Sequence, residues 1–509
     1  MPSRPFATLR SPERMADIVF LNDSDELARL QATSFENTEL GNARRLIAVF
    51  GEDLRFCVTW GKWLVWDGLR WVVDDHGEVE RRFKRTILLM HAQARADAGG
   101  TRRSDLAEWA LESETLHHIR AAMRLAQTEP GIAVEAADLD ADPMLIGVCN
   151  GVVDLKCGTL VQSERRFLIT KQCAVGFDPA AVCPTWHRFI GEVTCGDVDL
   201  QTYLQRVAGY CLTGRTNEQC FFVLWGSGAN GKSVFLGILE SLLKDYARNT
   251  PAMTLMGKPR SDGASPDLAR LDGARLVAAS EPPDGCRFAA ETVKAMTGQD
   301  RIICRPLYRD FFEYEPRFKV VLATNHKPQV ADDDEAMWRR IRLIPFRAVI
   351  APQNRDRHLH ERLQAELPGI LNWAVQGATY VGEYGLGTAG AVSRATDSYR
   401  SEMDVFSDWL DECAIEDPGA KTPTAELRES CNAWFLQQHH RPLSAKKFTQ
   451  RLEARGFQSD RTSKARCILG LALRDAGDAT EGNDPDPTAA DDSCDASPPP
   501  HPSSPENNP

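Results

Sequence analysis

The chain has 509 residues, of which 42% are hydrophobic and 26% charged, a balance that is ordinary for a globular protein of about three domains. No uninterrupted apolar run approaches the roughly 18 residues that a membrane helix requires. The amino terminus also lacks the apolar core of a secretory signal. We therefore expect a cytoplasmic protein with no membrane partner.

The net charge and the cysteine content exclude fewer classes of protein. The net charge is −12, but nine of the acidic residues lie in residues 475–509, which contain no lysine or arginine. A near-neutral body can still bind nucleic acid when its basic side chains cluster. The fourteen cysteines form no C-x-x-C pair, so they indicate reduced thiols rather than a zinc motif.

The amino-terminal part is predicted to comprise a flexible leader (residues 1–35), a mixed α+β region (36–185) and a helical collar (186–219). Within residues 54–75, apolar residues alternate between turn signals, which predicts a small antiparallel meander. Its four tryptophans could be base-stacking platforms or a tryptophan-rich core, and their period-two spacing favours the core. Two further short strands are predicted within residues 142–160.

The most specific signal is a glycine-rich loop at the start of the predicted ATPase domain, residues 220–398. An apolar strand precedes the loop GSGANGKS, and apolar residues at helical spacing follow it. The loop matches G-x-x-x-x-G-K-[ST], in which backbone N–H groups cradle a polyphosphate, the lysine reaches the β/γ-phosphates and the hydroxyl ligates Mg²⁺. The sequence therefore predicts a site for ATP and Mg²⁺ formed by Gly226, Ser227, Gly228, Ala229, Asn230, Gly231, Lys232 and Ser233.

Later segments offer catalytic side chains for this site. One apolar strand is predicted to end at Glu281, an acid placed to polarise the attacking water or to hold Mg²⁺. Another is predicted to end at Asn325, whose amide can hydrogen-bond that water or the γ-phosphate. Arg339 and Arg340 precede a short strand, where one of them can stabilise transition-state charge in a neighbouring subunit.

Two segments carry the side chains expected of nucleic-acid contacts. Between Lys294 and Phe318 the sequence predicts a β-hairpin with a basic tip and interleaved aromatic residues, which suits a nucleic-acid backbone and its bases. Residues 399–474 predict three helices, the third basic and N-capped by Ser444. That pattern suits a winged-helix DNA-binding module, and a solvated helical bundle fits it nearly as well. The residues expected to contact DNA are Tyr308, Arg309, Arg305, Lys294, Lys446 and Lys447.

The acidic, proline-rich residues 475–509 are expected to be disordered, because they contain too little apolar surface to form a core.

The order of these motifs resembles the phage, plasmid and poxvirus primase-helicase family, whose ATPase belongs to the superfamily three helicases. GSGANGKS is similar to that family's Walker A, RLVAASE to its Walker B and KAMTGQDRIICRPL to its B-prime motif. VLATNHKP is similar to sensor one, and DEAMWRRIRLIPF to the stretch that carries the arginine finger. Upstream, NGVVDLKCGTL and DPAAVCPTW resemble the helicase-associated region. The resemblance covers nearly the whole chain up to Arg474.

The resemblance implies an α/β, phosphate-loop (AAA+-like) ATPase that assembles as a ring, usually a hexamer, with ATP between subunits and DNA in the central channel. It implies that Lys232 and Ser233 bind phosphate and Mg²⁺, that Glu281 activates water and that Asn325 is sensor one. Arg340 best fits the trans-acting finger, and Arg339 is the runner-up. The remaining implied positions are Lys294 and Asp300 in B-prime, and Tyr308 and Arg309 near the hairpin tip.

Two departures leave alternatives open. Many members have paired acids in Walker B, whereas here Ser280 precedes Glu281, so Mg²⁺ would rest chiefly on Ser233, water and phosphate oxygens. No cluster resembles the paired metal-binding acids of a primase domain. We expect an ATP-dependent DNA helicase in phage, prophage or plasmid replication, acting with a separate primase or replication-initiation protein. A primase or combined primase-helicase, and an ATP-gated origin-binding or loading factor, are the alternatives.

Overall fold

The computed structural model describes residues 23–96, 101–257, 266–305, 310–330, 334–351, 353, 355–438, 442–461 and 466–474. The chain divides into two compact units, Met1–Met403 and Asp404–Pro509. No helix among these described residues is long and apolar enough to cross a membrane. Both helices and several sheets are present, so the chain is of mixed α and β class.

The first part of unit one combines five helices with a small sheet. In chain order the elements are α1 (Asp23–Gln31), α2 (Glu39–Phe50), β1 (Leu54–Cys57), β2 (Lys62–Trp66), β3 (Trp71–Val73), α3 (Glu78–Ala96), α4 (Thr101–Glu112), α5 (Leu116–Ala126) and β4 (Ala133–Val134). The sheet order is β3-β2-β1-β4, in which only the β1–β4 pair is parallel. The predicted meander is therefore present as β1 to β3.

Two expectations for this region meet different outcomes. Trp63, Trp66 and Trp71 are buried and Trp60 packs partly buried beside them, as a tryptophan-rich core requires. The leader expectation is wrong for its last part, because α1 is helical and buries Leu30 completely. Residues 1–22 of that leader lie outside the described part of the chain.

A second sheet and the collar helices follow. Their elements are β5 (Leu145–Val148), β6 (Gly151–Asp154), β7 (Thr159–Val161), α6 (Pro184–Val193) and α7 (Val198–Leu212). The sheet is an antiparallel meander of three strands, one more than the sequence predicted. Helix α7 packs closely on a later helix, α13 (Leu367–Tyr384), because Gly209 and Gly377 lie where a side chain would collide with the facing backbone.

The remainder of unit one surrounds a five-stranded sheet. Its elements are β8 (Phe221–Trp225), α8 (Lys232–Leu243), β9 (Ala247–Asn249), α9 (Pro266–Ala269), β10 (Leu276–Ser280), α10 (Ala290–Thr297), β11 (Ile302–Cys304), β12 (Phe312–Tyr314), β13 (Lys319–Thr324), α11 (Glu335–Trp338), β14 (Ile341–Pro345), α12 (Leu359–Ala365), α13, and α14 (Gly390–Glu402). The sheet order is β14-β8-β13-β10-β9, and every pair in it is parallel. Strands β11 and β12 form a separate antiparallel hairpin.

Both faces of this parallel sheet are covered, as its continuous apolar strands require. Successive side chains of a strand point to opposite faces. Accordingly, Phe222 and Leu224 belong to one core with α6, α7, α8 and α13. Phe221 and Val223 belong to a second core with α10, α11 and α14. The sheet thereby packs between two helical layers.

Unit two is small and has a core of its own. Its elements are α15 (Val405–Cys413), β15 (Ala414–Pro423), α16 (Thr424–Gln437), α17 (Ala445–Ala454), β16 (Ser459–Arg461) and β17 (Arg466–Leu473). The three strands form an antiparallel sheet in the order β15-β17-β16. Ser444 caps α17 as expected, since its side chain accepts from the N–H of Lys447. Phe406, Trp409 and Phe448 are fully buried at the centre.

Candidate nucleotide-binding site

The site forms where three neighbouring strands of the central sheet end together. Thr324 of β13 pairs with Trp225 of β8, and Ala323 pairs with Ser280 of β10. Because all three strands are parallel, the residues that follow them emerge at one carboxyl edge of the sheet. Ligands of open α/β sheets bind at this edge, where the strand order reverses. The glycine-rich loop, Asn325 and Glu281 are therefore brought together by the register.

The loop has the backbone conformation that turns successive N–H groups inward. Gly228 has a φ of 107°, Ala229 of 50° and Gly231 of 87°, so three of its residues lie in the left-handed region. Left-handed residues in a tight turn allow successive N–H groups to form a concave nest that binds anions. Glycine is needed at Gly226, where a Cβ would collide with the carbonyl oxygen of Phe346, and at Gly231, where it would enter the side chains of α6.

Lys232 is a buried cation whose hydrogen-bond partners, among the residues that the structure describes, are all neutral oxygen atoms. Its side chain is 5% exposed, and Nζ donates to the carbonyl oxygen of Gly226 at 2.7 Å, to Oδ1 of Asn230 at 2.9 Å and to Oδ1 of Asn325 at 3.0 Å. Burial lowers the pKa of Lys232, and the nearby Glu281 opposes that shift. A buried ammonium without a paired carboxylate is energetically unfavourable unless an anion joins it. The residues present therefore fit a phosphate ligand at this position.

The side chain of Asn230 also forms hydrogen bonds in this site. Its Oδ1 accepts from Lys232, while its Nδ2 donates to the carbonyl oxygen of Phe346 at 3.1 Å. Phe346 directly follows β14, so this amide ties the loop to the strand beyond Arg339 and Arg340. From the sequence, we identified Asn230 only as one residue of the glycine-rich loop. The signal for a role of its side chain was the position of an amide residue directly before G-K-S.

Glu281 and Ser233 are exposed beside the buried lysine. Glu281 has a φ of 51°, which is strained for a residue with a side chain, and its N–H donates to the carbonyl oxygen of Ala323 at 2.9 Å. That bend directs the chain away from β10 immediately after the strand. Within the described residues, no group of three or more His, Cys, Asp or Glu side chains forms a metal cluster. A hydroxyl and a single carboxylate suit Mg²⁺, which keeps several water and phosphate ligands.

The two arginines at the end of α11 have opposite environments. Arg340 is 7% exposed, and its guanidinium donates to Oγ1 of Thr297 at 3.1 Å and to the carbonyl oxygen of Ala336 at 2.8 Å. Arg339 is exposed. From the sequence, we expected Arg340 rather than Arg339 to reach a neighbouring subunit. The burial of Arg340 within its own chain disfavours that expectation. Of the two, only Arg339 presents its side chain to solvent.

Lys294 is occupied within the same region. Its Nζ lies 3.1 Å from a carboxylate oxygen of Asp334, and its side chain is 28% exposed. The Asp334 carboxylate also accepts from the N–H of Met337, so it caps α11. Lys294 is therefore paired with the residue that caps the helix before Arg339. Its expected contact with DNA stays a prediction.

The last turn of α14 contacts both the Asn325 segment and the arginine segment, which the sequence did not indicate. Glu402 lies 2.6 and 2.7 Å from Nζ of Lys327, whose ammonium stands 4.4 Å from the ring centroid of Trp225. Arg400 contacts the Glu335 carboxylate of α11 at 3.3 and 2.5 Å. One helical turn thereby holds the segment after β13 and the helix before Arg339 in a fixed relation.

Tyr399, in the same turn, makes the third contact. Its hydroxyl donates to the carbonyl oxygen of Pro328, and its ring packs edge-on against Trp338 with centroids 5.2 Å apart. The side chain is completely buried. The contacts of α14 with this edge are thus part apolar core and part ion pairs.

The expected DNA-contacting residues are only partly placed. Arg305 follows β11, with its guanidinium 4.8 Å from the ring centroid of the half-exposed Phe311. Tyr308 and Arg309 lie outside the described residues. Lys446 and Lys447 are both exposed on the first turn of α17. The hairpin itself is present, since Ile302–Cys304 pairs antiparallel with Phe312–Tyr314.

Two protein-family models match the chain. The model described as D5 N terminal like covers residues 43–195. The model of a family of unknown function, DUF5906, covers residues 224–340, which include the whole glycine-rich loop, Glu281, Asn325 and both arginines.

Viral proteins are among the curated relatives. A protein of Acanthamoeba polyphaga mimivirus that bears helicase in its name, L207/L206, is 27% identical over 339 residues, which are 60% of this chain and 35% of that protein. Primase D5 of fowlpox virus is 22% identical over 228 residues, which are 42% of this chain and 28% of that protein. The match spans about a third of the length of these relatives.

Among solved structures, the apo C-terminal region of NrS-1 aligns with a TM-score of 0.49 at 8% identity, covering 86% of this chain and 100% of that chain.

Proposed function

This chain is a member of the primase-helicase family with a superfamily three helicase domain, and on that premise we propose that it is an ATP-dependent DNA helicase. The observation that supports this most is the buried ammonium of Lys232, held by three neutral oxygens where the loop, Asn325 and Glu281 meet. We further propose that the parallel sheet is an AAA+-like phosphate-loop core and that unit two is a winged helix.

In the proposed reaction, the loop N–H groups and Lys232 bind the triphosphate of ATP. Lys232 exchanges its neutral acceptors for phosphate oxygens, which frees Oδ1 of Asn325 to accept a hydrogen bond from the attacking water. The carboxylate of Glu281 accepts the proton of that water. Ser233, with Glu281 beside it, would hold Mg²⁺, which when bound would supply neutralising charge to the phosphates. Electrostatic stabilisation of this kind supplies most of the rate enhancement in phosphoryl transfer.

We propose Arg339 as the residue that completes the site of a neighbouring subunit, with Arg340 holding α11 in place. An exposed arginine at the end of a short, well-anchored helix suits a contact made in trans. We accordingly propose that the protein assembles as a ring, a hexamer by similarity to the family, with a DNA strand in its channel. The hairpin of β11 and β12, with Arg305 and the expected tip residues Tyr308 and Arg309, is proposed to contact that strand.

Strand displacement on forked DNA tests the helicase proposal. Glu281→Gln removes the proposed base with little change in shape, so it should reduce ATP turnover and unwinding together by about a hundredfold or more while ATP still binds. Glu291→Gln, an exposed acid on α10, is the matched control and should change neither. If the assembled wild-type protein turns over ATP without separating strands, the helicase proposal fails in favour of a loading factor in phage, prophage or plasmid replication.

Primer synthesis is the second candidate, because one relative is named as a primase. Ribonucleotide incorporation on a single-stranded template should be absent if the chain relies on a separate primase. Incorporation that survives in a Lys232→Ala variant would show a polymerising site independent of the glycine-rich loop.

A further inference from the structure

The hairpin of β11 and β12 is too short to hold its own position. Its two strands have three residues each and form a separate two-stranded sheet. An isolated pair of strands is only marginally stable in water, so contacts with the rest of the fold must fix this one. Burial alternates along it, since Ile302, Cys304 and Tyr314 are buried whereas Ile303 is 62% exposed. The hairpin is therefore held through its inner face and its base.

Two side chains at the base of the hairpin reach other parts of the chain. The hydroxyl of Tyr314, the last residue of β12, donates to the carbonyl oxygen of Leu268 at 2.8 Å. The guanidinium of Arg317 donates to the carbonyl oxygen of Asp140, also at 2.8 Å. Because Arg317 lies between β12 and β13, the second contact joins the base of the hairpin to the amino-terminal part of the chain.

The loop that supplies this carbonyl oxygen is held in place by the carboxylate of Asp140 itself. Oδ1 accepts from the N–H of Thr170 at 2.9 Å, and Oδ2 accepts from Nζ of Lys171 at 2.8 Å. The side chain of Asp140 is 8% exposed. Burial by itself would raise the pKa of Asp140, but the ammonium of Lys171 and the hydrogen bonds from Thr170 hold that pKa below its usual value. The ion pair with Lys171 is therefore present at neutral pH.

The backbone of this loop is strained. Asp140 has a φ of 50° and Leu168 a φ of 49°, both in the left-handed region that residues with side chains disfavour. The N–H of Asp140 donates to the carbonyl oxygen of Leu168 at 3.1 Å, so the two strained residues are joined. Such conformations persist only where surrounding contacts over-determine them, and they cluster at functional positions. Here the carboxylate of Asp140 supplies those contacts, and its carbonyl oxygen is left to accept from Arg317.

The same part of the chain also contacts the start of β10. A Cβ added at Gly273, which has a φ of 67°, would lie 2.7 Å from Nζ of Lys171, so the ammonium lies against this turn. Arg275, directly before β10, donates to the carbonyl oxygens of Asp142 at 3.4 Å and of Leu145 at 2.5 Å. The amino-terminal part of the chain thus holds the amino ends of β10 and β13, the two strands whose carboxyl ends adjoin the nucleotide site.

We infer that Asp140 is a positioning residue for the hairpin, because its loop fixes the base of the hairpin to the amino-terminal part of the chain. Arg317 lies two residues before β13 and Asn325 directly follows that strand, so a change at the nucleotide site reaches the hairpin base along a single strand. With the contact in place, the hairpin base has a fixed support and follows β13. Without it, the hairpin turns about its base, and ATP turnover is not converted into strand separation. The inference rests on the proposed function in taking this hairpin as the part that contacts DNA.

Hydrogen exchange of the full-length chain, measured without nucleotide or DNA, tests the contact directly. In Arg317→Met the amides of Ile302–Cys304 and Phe312–Tyr314 should exchange about tenfold faster, because the hairpin loses its bond to Asp140. The amides of β8 should keep their wild-type rates, whereas a general loss of stability would speed exchange there as well. A folded Arg317→Met chain whose hairpin exchanges at the wild-type rate would refute the inference.

The same measurement on Asp140 variants tests whether its carboxylate acts through Arg317. Asp140→Ala should speed hairpin exchange as much as Arg317→Met does, since the carboxylate no longer shapes the loop. Asp140→Asn keeps an acceptor for the N–H of Thr170 and tolerates a left-handed backbone, so its effect should be smaller. The double variant should exchange no faster than either single variant, because both remove one contact. Additive increases would show that the two residues act separately and would exclude the positioning role of Asp140.

The number of base pairs separated per ATP hydrolysed on forked DNA tests the consequence. Arg317→Met and Asp140→Ala should lower this ratio about fivefold, with ATP turnover in the absence of DNA kept within about twofold. Arg44→Met is the matched control and should change neither, because it removes an arginine of a half-exposed surface pair with Glu129. An unchanged ratio in variants whose hairpin exchange has risen would refute the positioning role. A wild-type chain that separates no strands would instead refute the helicase proposal, and the exchange rates would then decide on the contact alone.

Discussion

The two ends of strand β13 each adjoin a buried lysine, and the two lysines differ in what surrounds them. Lys319 begins the strand and is 2% exposed. Its Nζ donates to main-chain carbonyl oxygens, and it lies 4.8 Å from the ring centroid of Tyr210. The carbonyl oxygens belong to Thr213, Arg215 and Arg317. Burial lowers the pKa of Lys319 to about 7.

Lys232, beyond the other end of β13, is almost as buried but has replaceable partners. Two of its three acceptors are side-chain amides, and the exposed Ser233 and Glu281 stand beside it. Lys319 is enclosed by fixed main-chain oxygens and has no such opening. A buried cation by itself therefore does not indicate a ligand site. A site requires that its partners can exchange for a ligand at an open edge.

Substituting each lysine in turn tests this comparison most directly. Lys232→Ala should reduce ATP turnover about a thousandfold, since the charge that meets the phosphates is lost. Lys319→Met should leave turnover within about twofold, because its contacts are made inside the fold. Steady-state turnover measures both, with Lys244→Ala, an exposed lysine just after α8, as the control. Equal losses in the two variants would remove the distinction.

The two arginines after α11 repeat the contrast between enclosed and exposed charge. Arg339→Ala should reduce turnover about a hundredfold without changing the melting temperature, as expected of a residue that acts in trans. Arg340→Ala should instead lower the free energy of unfolding by about 1–3 kcal/mol, because its hydrogen bonds to Thr297 and Ala336 are lost.

Mixing experiments separate these roles. Subunits with Arg339→Ala and subunits with Lys232→Ala should restore part of the turnover when mixed, because each supplies what the other lacks at a shared site. Absence of rescue at any ratio, with assembly intact, would count against the trans-acting role of Arg339.

Lys327 represents a third environment, a nearly buried lysine with a carboxylate partner. Lys327 lies two residues after Asn325, and its side chain, which pairs with Glu402, is 11% exposed. Glu402→Gln should reduce turnover about tenfold with ATP affinity near normal, since Asn325 loses its support rather than its own contacts. Exchanging the charges with Lys327→Glu and Glu402→Lys should recover part of that loss. Glu80→Gln, in the exposed pair with Lys84, is the control. An unchanged rate would show that this pair serves only stability.

The smallest expected effect is a dependence of stability on pH. In the folded protein the pKa of Lys319 lies at about 7, below the usual value of 10.5. Between those values the unfolded chain binds a proton that the folded chain does not, so stability should rise as pH increases above 7. Lys319→Met should flatten that rise in thermal unfolding measured from pH 7 to 9. A wild-type curve with the same slope as the variant would contradict the lowered pKa.

Local patterns in the sequence predicted much of this site. The strand before Gly226, the loop, the strand that ends before Asn325 and the Ser444 cap all depend on residues close together in the chain. Hydrophobic periodicity and turn chemistry act over this short range. The helix Asp23–Gln31 was missed because its apolar face is narrow, and it is stabilised by burial of Leu30 against distant elements.

By itself, the sequence determined that a glycine-rich loop, a strand-end acid and a strand-end amide exist. The parallel register decided that Glu281 and Asn325 flank Lys232, because strands distant in the chain meet only when the sheet forms. Tertiary packing likewise decided that Arg340 is buried and Arg339 is exposed. The two adjacent arginines look alike in the sequence, and only the folded chain gives them different neighbours. The residue types that carry the chemistry were thus recognisable from short stretches of the sequence. Which charged side chain is accessible to a ligand depended on contacts across the fold.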